Sequence, residues 1–134
     1  MHLCNNPQKD EDIKLRKLRI IIAVFWTLAV IVLLSYPSSG LSDFNIIKIK
    51  NLDKLIHFTV FFITGLVWAN AVSNYFNDTK IFLYIFALGL VLSVMTELAQ
   101  NLQFIGRTFE WLDIIANLLG ISFGIKIFFV TRRN

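Results

Sequence analysis

The sequence predicts an all-α fold: a polytopic bundle of four transmembrane helices with both termini in the cytoplasm. Three observations predict it. Four apolar runs each approach the roughly 20 residues that a helix needs to cross a hydrocarbon core of roughly 30 Å. Hydrophobic residues make up 56% of the 134, with 13 phenylalanines, and only 16% are charged. A chain this short has too little interior to hide so much apolar surface from water, so lipid must cover the rest. Lone strands cannot span lipid, and apolar runs without alternation do not build a barrel.

Residues 1–19 form a polar tail in which Lys9, Asp10, Glu11 and Asp12 precede Lys14, Arg16, Lys17 and Arg19. A single membrane domain fills 20–130, with helices expected at about 18–36, 52–73, 80–100 and 111–130. Within Ile20–Leu34 Thr27 is the only polar residue, and the run stops at Pro37-Ser38-Ser39-Gly40 because proline and turn residues cannot continue a helix. A cleaved signal peptide is the competing reading of this run. The long charged tail before it and the length of its apolar part argue against cleavage. Residues 41–50 alternate apolar side chains with Lys48 and Lys50, as an interfacial or a short extended connector would. The second run opens on Asp53, Lys54 and His57, and the polar stretch 73–80 turns the chain into the third. That run ends in Thr96-Glu97-Leu98-Ala99-Gln100; a loop with Gly106 and Arg107 leads to the fourth, and residues 131–134 are a second cytoplasmic tail.

The net charge is +4 and the pI about 9.4. Basic residues gather at the two ends of the chain beside apolar runs, a topology signal, and no nucleic-acid partner is expected. With the N-terminus inside, nine lysines and arginines are cytoplasmic and four are not, which orients both termini inward. Cys4 is the only cysteine, so no intramolecular disulfide forms.

This topology sorts the remaining polar residues by depth. Taking a rise of 1.5 Å per residue from the cytoplasmic boundary, His57 and Glu97 both lie roughly 26 Å away and Asn117 roughly 22 Å. Asp113 is one turn further out than Asn117. Asp53 and His57, Glu97 and Gln100, and Asp113 and Asn117 are each spaced to share a helix face. Gly120 and Gly124 continue the last face inward as a flat strip for a neighbouring helix. Arg107, tethered between Glu97 and Asp113, can reach either carboxylate. Ionisable groups inside a span are costly and normally face the bundle interior, which makes this layer a candidate site. Packing offers a second account: Arg107 locking the hairpin of the third and fourth helices, and Asp53 and Asp113 serving positive helix N-termini.

Asp53-Lys54-x-x-His57-Phe58, Glu97-x-x-Gln100, Gly106-Arg107 and Asp113-x-x-x-Asn117-x-x-Gly120 in this order resemble the VanZ-like family. The resemblance covers the chain from Asp53 to Gly124, while the first helix matches in hydrophobicity and position. It implies a multi-pass protein of the bacterial inner membrane, from a family whose name-giving member is linked to teicoplanin resistance. Where the family often places a small polar residue after the arginine, Thr108 stands here, and Glu110 adds an acid.

Two kinds of function fit the layer. His57, Glu97 and Asp113 would supply general acid–base chemistry, while Asp53, Lys54, Gln100, Arg107 and Asn117 bind an envelope component such as a lipid-linked peptidoglycan precursor or a glycopeptide. The same groups would otherwise bind without turnover, so whether the chain is an enzyme stays open. The structural alternative is that the layer only fixes helix packing, in a homo-oligomer or larger assembly. No cofactor is expected. One histidine among carboxylates suits a divalent ion, but no dense metal-ligand motif occurs and no metal is assigned.

Overall fold

A computed structural model of the chain describes residues 7–35, 52–102 and 110–134. The tail residues 1–6 with Cys4, the proline-serine-glycine stop, the 41–50 connector and the loop carrying Arg107 lie outside the described residues. Four helices fill the rest: α1 (Pro7–Ser35), α2 (Leu52–Val72), α3 (Asp78–Leu102) and α4 (Trp111–Arg133). All four are long and apolar enough to cross a membrane, and no strand occurs among the described residues.

α1 begins well before its apolar run. Pro7 stands at the first helical position, where its missing N–H is no loss. The charged stretch behind it is made of good helix formers, with Asp10 and Lys14, and Asp12 and Arg16, at i,i+4 spacing. The tail expected from hydropathy is therefore largely a helical extension. At 29 residues α1 is roughly 43 Å long, more than the hydrocarbon core requires. α3 starts with Asn77 accepting the Lys80 N–H at 3.0 Å, a side-chain cap at the first turn.

Side-chain pairings fix the directions. Lys54 meets Asp113, His57 meets Asn117 and Gly65 meets Ile121, so residue numbers rise together and α2 runs parallel to α4. Glu97 meets the Glu110 amide, Ser93 meets Asn117 and Asp78 meets Arg133, so α3 runs antiparallel to α4. Trp26 donates to Thr64 at 3.0 Å and Trp68 donates to Thr27 at 2.9 Å, two bonds that clip α1 onto α2. Gln100 near the end of α3 meets Leu34 at the end of α1, so α1 runs with α3 and antiparallel to α2. α1 touches α2 and α3 but not α4 among the described residues. Helix ends nearest the two termini therefore lie at one end of the bundle.

α2 and α4 form the closest pair, because glycine removes the side chains that would hold them apart. Gly120 and Gly124 lie against the backbone of Phe58 and Phe62, and Gly65 lies against the backbone of Ile121. A Cβ at any of these three would fall inside contact distance of a carbonyl oxygen. Small residues at such interfaces let backbones approach where dispersion, rather than water, drives association. Around this seam pack Phe61, Ile81, Ile85, Val30, Leu34, Ile121 and Ile125.

The radial order is the reverse of a soluble protein's. His57, Thr64, Ser93, Thr96, Glu97, Gln100, Asp113 and Asn117 are buried, whereas Phe25, Val32, Leu83, Met95, Trp111 and Leu112 are exposed. Exposed apolar side chains cost nothing against lipid tails, and interior polar groups there must bond to one another.

The glycine seam yields a graded expectation. Gly124→Ala should destabilise the bundle by about 1–3 kcal/mol, since its Cβ meets a helix backbone that cannot swing aside. Gly89→Ala should cost less, because its Cβ meets the flexible end of the Ile121 side chain. Unfolding midpoints in detergent micelles check the order, and an equal or inverted pair would contradict it.

Candidate functional site

The parallel pairing of α2 and α4 sets their N-termini side by side, and α3 brings its last turns against them. Asp53, Lys54 and His57 come from the first turns of α2. Glu110, Asp113 and Asn117 come from the N-cap and first turns of α4. Ser93, Glu97 and Gln100, spaced by four and three residues, line one face of α3. Both α2 and α4 present positive dipole ends here, which favours the acids in their first turns.

At the centre is a buried chain of hydrogen bonds. Asn117 Nδ2 donates to Ser93 Oγ at 2.8 Å, leaving Asn117 Oδ1 as the acceptor 3.1 Å from His57 Nδ1. That network assigns the ring proton to Nδ1 and leaves the Nε2 lone pair for the other side. On that side Asp53 Oδ1 lies 4.0 Å from Nε2. A histidine held this way has its tautomer fixed from behind, with Nε2 the nitrogen left to accept.

Nearer the surface, Lys54 Nζ sits 2.6 Å from Glu110 Oε2 and 3.3 Å from Asp113 Oδ1. The first contact is a charge-assisted hydrogen bond. The second is an ion pair without the alignment of one, and Asp113 Oδ1 is buried with no hydrogen-bond partner among the described residues. Glu97 Oε1 accepts the Glu110 N–H at 2.6 Å, tying α3 to the start of α4, while its buried Oε2 has no hydrogen-bond partner among the described residues. The layer thus gathers four carboxylates (Asp53, Glu97, Glu110 and Asp113) around one ammonium, Lys54, among the described residues. Burial is deep at its floor, where His57, Glu97 and Asp113 are 1%, 2% and 3% exposed. It is shallow at the rim, where the Asp53 and Glu110 side chains are 37% and 47% exposed. The result is a polar cleft with an acidic mouth.

Of the residues singled out from sequence, His57, Asn117, Asp53, Lys54, Asp113 and Glu97 converge here. Gln100 points elsewhere, donating to the Leu34 carbonyl at 2.6 Å and so closing α1 against α3. Gly120 and Gly124 lie just below, against α2. Arg107 lies outside the described residues. Two contributors were not assigned to the site from sequence. Ser93 read as part of an apolar run, although it stands four residues before Glu97 on the same face. Glu110 read as an extra acid, and its place at the α4 N-cap is what turns it toward Lys54. Asp53, His57 and Asp113 each offer a ligand atom within 4.8 Å of the others.

Lys54→Met leaves Asp113 and Glu110 without this counter-charge and should cost about 1–3 kcal/mol, between an exposed and a fully buried pair. Adding Asp113→Asn should recover part of that loss, a coupling read from thermal unfolding of the two single variants and the double. Strict additivity would show that the ion pair contributes nothing.

A family model described as VanZ/LLP1 matches residues 5–132, so the likeness takes in α1 as well as the polar cleft. No curated protein and no solved structure matches the chain.

Proposed function

The chain belongs to the VanZ/LLP1 family and is a multi-pass membrane protein, and from that premise we propose that its cleft binds or acts on a cell-envelope component. In this reading both termini are cytoplasmic, the membrane is the bacterial inner membrane, and the acidic mouth opens outward. The ligand is a lipid-linked wall precursor or a glycopeptide, which reaches the mouth from the outer leaflet or the space beyond it.

One observation carries the proposal: Glu97 and Asp113 are almost wholly buried, yet among the described residues each keeps a carboxylate oxygen without a hydrogen bond, and Asp113 Oδ1 has only the Lys54 ion pair at 3.3 Å. Desolvating a carboxylate costs several kcal/mol unless its lone pairs are satisfied, and helix packing alone does not require such an arrangement. Of the two, Asp113 lies beside His57, their ligand atoms within 4.8 Å of each other, and Nε2 of His57 is the ring nitrogen turned away from Asn117. A ligand hydroxyl or amine placed there would donate to the carboxylates and lie within reach of the imidazole. Arg107, placed by sequence between α3 and α4, would hold an anionic group of the same ligand.

The packing alternative rests on contacts of its own. Gln100 joins α3 to α1, Glu97 Oε1 joins α3 to α4, and Lys54 joins α2 to α4. The two readings diverge in cells. Alanine at Glu97, Asp113 or Arg107 should leave membrane abundance near wild type and abolish the envelope phenotype. Loss of abundance in all three would reduce the layer to packing. Orientation is tested separately in a Cys4→Ser background. Asn45→Cys should react with an impermeant thiol reagent from outside the cell and Phe76→Cys should not; the reverse pattern would invert the topology.

A further inference from the structure

We propose that Asp53, His57 and Asp113 form a binding site for one divalent first-row metal ion, with His57 coordinating through Nε2. The inference deepens the reading of the same cleft by naming a cation within it. Sequence spacing did not reveal the set because its ligands come from two helices that meet only in the fold. A donor set of one imidazole and two carboxylates suits borderline ions such as Zn2+ or Mn2+. The three ligand atoms lie within 4.8 Å of one another. In a tetrahedral site two donors at 2.0–2.2 Å from one ion stand about 3.3–3.6 Å apart, so closure requires a shift of up to about 1.5 Å. Asp53, at the rim with its side chain 37% exposed, is the ligand placed to move, exchanging a present contact for the ion.

Three features around the ligands point to a cation rather than to packing. His57 hydrogen-bonds from Nδ1 to Asn117, and Asn117 is held in turn by Ser93. An outer shell that fixes the opposite ring nitrogen is the usual support of a metal-bound histidine. Asp113 is buried, on the floor of the cleft, and its Oδ1 has no hydrogen-bond partner among the described residues, only the Lys54 ion pair. The four carboxylates exceed the Lys54 ammonium by three formal charges among the described residues, or by two once the sequence-placed Arg107 is counted, a deficit that one divalent ion reduces to one or to zero. Lys54 is then a competitor for Asp113 at 3.3 Å, and its shorter contact with Glu110 at 2.6 Å is where its ammonium remains when the ion binds. Three protein ligands leave a coordination position open toward the mouth, as catalytic rather than structural sites do.

The test uses the full-length protein in detergent micelles, without a histidine tag and in a His2→Asn, Cys4→Ser background that removes other strong ligands. After chelator treatment it is titrated with Zn2+ by calorimetry. The expected result is one equivalent per chain. Asp113→Asn and His57→Gln should each weaken binding at least about 100-fold, and Asn117→Leu about 10–100-fold as an outer-shell change. Lys54→Met should tighten binding about tenfold, because a neighbouring positive charge is gone. That same variant should unfold at a lower temperature without zinc and be raised further by zinc than the parent, a pairing that a purely structural lysine would not give. No saturable binding by the parent, binding unchanged in both Asp113→Asn and His57→Gln, or weaker binding in Lys54→Met would each overturn the proposal. Because zinc is read on purified protein without any envelope ligand, its failure would leave the envelope reading standing.

Discussion

Close backbone contact between α2 and α4 is the constraint on which the rest of the structure depends. Gly65, Gly120 and Gly124 let two parallel helices meet without intervening side chains. Only at that separation does His57 on one helix reach Asn117 on the other at 3.1 Å, and Lys54 reach Asp113 at 3.3 Å. Widening the seam by one methyl group would pull these partners beyond bonding range. The glycines are therefore part of the cleft although none lines it. They convert a stripe of small residues into the spacing that its chemistry requires.

A second consequence is electrostatic. Parallel packing places two positive helix N-termini together at one end of the bundle, where acids in the first turns are favoured. Asp53 and Asp113 accept that benefit, and Glu110 stands at the α4 N-cap without using its side chain as a cap. Its carboxylate is free for Lys54 instead. Glu97 does what the Glu110 side chain does not, accepting the Glu110 amide from across the α3–α4 hairpin. Local satisfaction and long-range connection are thus traded between two acids. The opposite end needs no such arrangement: Arg132 and Arg133 meet Asp78 at the exposed surface, where solvent weakens ion pairs.

Much of this was legible in the sequence. Run length and scarcity of charge identify four spans, since hydropathy alone decides what can sit in lipid. Helix rise and i,i+4 spacing bring His57, Glu97, Asp113 and Asn117 to a common depth, because those quantities do not depend on packing. The start of α1 was not legible from hydropathy, as its first turns are charged and helical at once. Ser93 was not legible either: a lone hydroxyl inside an apolar run bonds its own helix as readily as a neighbour. Nor could Gln100 be placed from its spacing to Glu97. A shared face says which way a side chain leaves its helix but not which neighbour it meets, and here Glu97 reaches α4 while Gln100 reaches α1.

The pairing of α2 with α4, rather than with the next helix in line, also sets a schedule for the ribosome. His57 and Asn117 are separated by 60 residues, about 3–12 s of synthesis at roughly 5–20 residues per second. Throughout that interval α2 carries a histidine, a lysine and an uncovered Gly65 with their partner not yet made. Lipid offers no hydrogen bonds to such a helix. Until α4 arrives, the Trp–Thr clips with α1 are bonds that α2 can already make.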